Sequence, residues 1–175
     1  SKAGTTAFGF VESKKPDLLL ETVFVLEAVA DSRWHVDQFL APLPVRVVVD
    51  VRGNDVTAAR DAASLAAEVE DGTIQRFLER PGFNASLLKN LLSRATERAE
   101  AQTRGLKAAA QARASAALGA ERQRLVDLRK INPHVRPEEI QLVEEQSRCT
   151  GAAIEQARLR LDSIRLIIEG PDHLG

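Results

Sequence analysis

Methionine is absent from all 175 residues, position 1 included. A chain that starts Ser1-Lys2-Ala3-Gly4 is processed or cut from something longer, and the expectation is a fragment of a larger protein. The single cysteine, Cys149, excludes an internal disulfide, which fits a reducing cytosol and a cytoplasmic location. Aromatics make up only 4% of the chain, few for the stacking platforms that bind single-stranded nucleic acid. A net charge of −1 supplies no bulk pull toward nucleic acid or an anionic membrane. No apolar run approaches the ~18 to 20 residues of a membrane span, and the N-terminus lacks a basic-then-apolar signal pattern. What remains, 44% hydrophobic and 28% charged, is an ordinary globular balance. A chain of this length can bury roughly 70% of its unfolded surface.

The pattern is β before residue 60. "LLLETVFVLEAVA" (18–30) is rich in Leu and Val, with Val23, Val25 and Glu27 alternating around Phe24 and Leu26. "PVRVVVDV" (44–51) puts Val45, Val47, Val49 and Val51 on one face and Arg46, Val48 and Asp50 on the other, a half-buried strand. "RGND" (52–55) has turn chemistry and predicts a hairpin partner at about 55–60. "TTAFGFVE" (5–12) is a weaker strand, and "APLP" (41–44) removes two backbone donors and belongs to a connection or sheet edge.

Beyond residue 60 the chain is mostly helical. Short helices over 61–82 are broken by Asp71-Gly72 and stopped by Pro81-Gly82. Asn84 is the expected N-cap of a helix running to Ile131, about 72 Å long, with Gly105 and Gly119 its weak points. Asn132-Pro133 ends that helix, and Pro137 starts the next, where a missing N–H costs nothing. Arg129 and Lys130 before the turn, and Glu138 and Glu139 after it, complement the two helix dipoles. In the second helix Ile140, Val143, Ser147, Thr150, Ile154, Ala157 and Leu161 recur at alternating spacings of three and four, the seam of a helix lying along another. Its small residues face "AAAQARASAALGA" (108–120), so the backbones approach closely. "SIRLIIEG" (163–170) then changes period and predicts a strand returning to the sheet.

The expected fold class is therefore α+β, one accessory domain over 1–175. A mostly antiparallel N-terminal sheet (5–60), joined by the strand at 163–170, packs on Leu87, Leu88, Leu91, Leu92, Ala95 and Ala99 of the long helix. That helix continues into a projecting antiparallel hairpin (84–161, turn at 132–137).

Four blocks, "ETVFVLEA", "FLAPLPVRVVVD", "LRKINPHVR" and "RLDSIRLI", resemble the C-terminal region of the RapA (HepA) family, the bacterial RNA-polymerase-associated ATPases of the Swi/Snf type. They span about residues 17–168; between roughly 58 and 120 only helical character matches. The resemblance implies a parent that hydrolyses ATP, binds core RNA polymerase and promotes its recycling, with this chain contacting polymerase or the parent's other domains. ATP and Mg²⁺ are expected only for the parent's motor. No GxxxxGK[ST] phosphate loop occurs here, nor an acidic Asp-Glu pair after a strand to hold Mg²⁺. No catalytic, cofactor or metal residue is therefore assigned to this chain.

Candidate contacts are few. His134, Val135 and Arg136 in the hairpin turn lack a local reason, and Val135 is apolar where water is expected; either it caps the seam against Ile131 and Ile140 or it anchors a partner. Arg122, Arg124, Arg129 and Lys130 form a basic strip that could guide nucleic acid, an alternative the net charge disfavours. His35 with Asp37 reads as a surface pair, His134 and His173 as isolated, and Cys149 as unactivated. Arg158, Arg160 and Arg165 have acids nearby (Glu155, Asp162 and Glu169), so they read as a solvated face. Trp34 is a core plug or a contact anchor.

Overall fold

A computed structural model describes residues 5–68, 70–71 and 84–171. Its strands are β1 (Thr5–Glu12), β2 (Asp17–Glu27), β3 (Leu43–Asp50), β4 (Glu70–Asp71) and β5 (Arg158–Gly170). Its α-helices are α1 (Ala62–Glu68), α2 (Ala85–Ile131) and α3 (Pro137–Glu155). The class is α+β. The chain divides into two compact units, one drawn from Ser1–Val25, Pro44–Gln102 and Arg160–Gly175, the other from Leu26–Leu43 and Thr103–Leu159.

The sheet has the order β3-β2-β5-β1-β4. The C-terminal strand does return to the sheet, and it does so parallel to β1, with Thr5 opposite Ser163 and Glu12 opposite Gly170. β1 pairs antiparallel with β4 through Gly9 and Phe10, so the sheet is mixed. Strand alternation puts Leu20, Thr22, Phe24 and Leu26 on one face of β2, all buried. On the other face Val11, Leu19, Val48 and Ile167 close over Leu65 of α1. Glu21 shares that second face and accepts from Arg46 and Arg165, each at 2.8 Å. Arg165 thus pairs with Glu21, not with Glu169; the buried Glu169 is held by Arg60 at 2.7 Å. Burying a carboxylate is expensive unless a cation and hydrogen bonds come with it.

Both faces of β3 are covered, so Val48 is as buried as Val47 and Val49. The expected hairpin partner at 55–60 is not a strand. A single bridge joins Val49 to Asp55, and the chain then turns, with the Arg60 N–H on the Val56 carbonyl. Side chains outcompete the ladder: Asp55 accepts from the Thr57 N–H at 3.0 Å, and the Thr57 hydroxyl accepts from the Val48 N–H at 2.9 Å. Gly53 makes the turn at φ 83, a left-handed conformation that glycine adopts without strain.

Asn84 caps α2 as expected, its Oδ1 accepting from the Leu87 N–H at 2.8 Å. Leu91, Ala95 and Ala99 follow at four-residue spacing and are buried within the sheet-bearing unit. The expected helix break at Pro81-Gly82 lies outside the described residues.

In the second unit α2 and α3 are joined in antiparallel order: Lys107 Nζ donates to the Glu155 carbonyl, Gln111 Nε2 to the Gly151 carbonyl and Arg122 Nε to Glu144. Ala110, Ala114 and Leu118 on α2 and Thr150, Ala153 and Ile154 on α3 are buried. The helix stops at Glu155, short of the expected 161, and β5 begins at Arg158 rather than 163. Ala157 and Leu161 keep seam spacing by coincidence. "RLRLD" (158–162) alternates polar and apolar, and its burial alternates with it, as a strand requires.

Candidate interaction surfaces

The turn between α2 and α3 is built from its own polar groups. Asn132 Oδ1 accepts from the His134 N–H at 3.0 Å, and the Arg136 N–H donates to Glu139 Oε2 at 3.0 Å, closing the reciprocal cap that starts α3. Of the three turn candidates, His134 and Arg136 are exposed, but Val135 is buried, at 8%. The large apolar side chain open to solvent is instead Ile131, 82% exposed, with Leu142 at 57%. Periodicity could have found Ile131: it follows Arg113 by about five full turns, so it lies on the same face of α2.

Three of the four basic-strip residues are ion-paired: Arg122 with Glu144 at 2.8 Å, Arg124 with Glu121 at 2.8 Å and Lys130 with Asp127 at 3.3 Å. The hydrogen bond from Arg124, more than its charge alone, holds the Glu121 carboxyl below the usual carboxylate range. These exposed pairs contribute little to stability, yet they offset the positive field a phosphate would meet.

The third surface is the segment that carries Trp34. Asp31 accepts from the Arg33 N–H at 3.0 Å and caps a short 3-10 turn, Ser32–Trp34. The indole is buried, and the Arg33 guanidinium stacks 4.5 Å from its ring centre. Gln146 Nε2 donates to the Trp34 carbonyl at 3.1 Å, and Arg113 Nη2 to the Phe39 carbonyl at 2.7 Å, so both helices hold the segment by its backbone. Between Trp34 and a second turn, Val36–Gln38, His35 sits at φ 49 and ψ 43. A left-handed non-glycine residue costs on the order of 1 to 3 kcal/mol, sustained here by the burial of Trp34, Val36, Phe39 and Leu40 around it. His35 and Asp37 stay exposed, beside a recess of about 500 Å³. Sequence reasoning singled out these residues without the recess, which depends on how the loop folds back.

Cys149 is a free, half-buried thiol, Arg158 is exposed, Arg160 pairs with Asp162 at 3.1 Å, and His173 lies outside the described residues. Among the described residues no cluster of His, Cys, Asp and Glu could hold a metal ion, and no helix is long and apolar enough to cross a membrane.

A mixed sheet, a helix pair and a helix-held loop make this an α+β module whose notable features are surfaces. The family model described as "RNA polymerase recycling family C-terminal" matches residues 1–169. The chain belongs to that family. It is 29% identical over 170 residues to the RNA polymerase-associated protein RapA of Vibrio cholerae serotype O1 (strain M66-2), covering 94% of this chain and 17% of that protein. It is 35% identical over 179 residues to the RNA polymerase-associated protein RapA of Stutzerimonas stutzeri (strain A1501), covering 95% of this chain and 18% of that protein. The chain thus spans under a fifth of the length of these curated relatives.

Proposed function

We propose that this chain is the C-terminal interaction domain of a cytoplasmic, ATP-driven, RNA-polymerase-associated recycling factor, and that it contributes binding rather than catalysis. The observation that carries this is the family match across 1–169. The sequence supports the division of labour, since it has neither a phosphate loop nor a Mg²⁺-holding acidic pair, the parts that ATP hydrolysis needs. Core RNA polymerase is the first partner, and the motor domains of the parent protein are the second.

The test uses the purified chain and immobilised core RNA polymerase. Saturable binding is expected, unchanged by ATP, with calorimetry giving no heat of ATP binding. Absence of binding by the chain, together with undiminished polymerase binding by a full-length relative lacking the matching segment, overturns the proposal. The nucleic-acid alternative is measured alongside on duplex and single-stranded DNA. A steep fall in affinity with salt would favour it; the ion-paired strip leads us to expect weak binding.

A further inference from the structure

We draw no further inference here: the strongest candidate, the exposed stripe of small residues Gly105, Ala108, Ala112, Ser115 and Gly119 along α2, is an unpartnered helix face, and nothing in the structure shows what covers it.

Discussion

Gln146 on α3 donates its side-chain N–H to the main-chain carbonyl of Trp34, 3.1 Å away and 112 residues earlier in the chain. Arg113 on α2 makes the equivalent bond to Phe39 at 2.7 Å. A loop held by its carbonyls keeps its path whatever its exposed side chains are, and its buried ones supply the energy. Trp34→Ala should therefore cost about 3 to 5 kcal/mol in urea unfolding. Gln146→Ala should cost about 1 kcal/mol and raise amide hydrogen exchange mainly at 32–39. A Trp34→Ala loss below that of Gln146→Ala would mean the indole is not the anchor.

Ile154 on α3 is fully buried, whereas Glu145 is exposed and only loosely paired with Arg148 at 3.9 Å. Ile154→Ala should cost roughly 2 to 4 kcal/mol, and Glu145→Ala close to nothing. Denaturant midpoints of the two variants check it; comparable losses would place the helices in a different register.

The burial of Thr150 and Ile154 was legible because a 3-4 repeat is a local signal: both can be assigned to one apolar face of α3 from neighbours a turn away. The Asn84 cap and the turn at 132–137 were legible for the same reason, since proline and asparagine act within a few residues. The parallel pairing of Thr5 with Ser163 was not, because nothing near either residue encodes a partner so distant in sequence. The early end of α3 was half visible: the alternation in "RLRLD" competes with a heptad that Ala157 and Leu161 happen to satisfy. At the turn, the sequence left Val135 open between capping the hairpin and anchoring a partner, because burial is a tertiary property: Val135 is 8% exposed and Ile131 82%.

Thr150 is fully buried in the seam, and its hydroxyl has no hydrogen-bond partner among the described residues. An unmet buried donor costs about 1 to 3 kcal/mol, and valine has nearly the same shape without it. Thr150→Val should leave stability unchanged or raise it by about 1 to 2 kcal/mol. Calorimetric unfolding decides; a drop in melting temperature would show that the hydroxyl is satisfied in solution.

The Glu121 side chain is 42% exposed, so its pairing with Arg124 is better read by titration than by stability. The Arg124 hydrogen bond lowers its folded-state pKa, which makes any stabilisation present above the unfolded pKa and lost as pH falls through the folded one. Carbon-13 NMR should give a Glu121 midpoint below that of an unpaired glutamate, moving up in Arg124→Gln. An unmoved midpoint would mean the pair is not populated in solution.

At the hairpin turn, Val135 and Ile131 should behave as opposites. Val135 is buried while Ile131 is 82% exposed, so the two apolar residues do not serve the same purpose. Ile131 lies on the face of α2 that carries Arg113, and Leu142 sits one turn from Gln146 on α3, so both continue the side of the helix pair that holds the Trp34 loop. Val135→Ser should lower the melting temperature and leave binding to core RNA polymerase intact once the chain is folded, because it removes internal packing. Ile131→Ser should leave the melting temperature within about a degree, since an exposed side chain contributes little to folding. If the turn docks on polymerase or on the parent's motor, Ile131→Ser with Leu142→Ser weakens that binding by about tenfold or more, as the loss of an apolar anchor does. Unchanged affinity in the double variant would remove this end of the hairpin from the contact and leave the Trp34 loop as the surface to pursue.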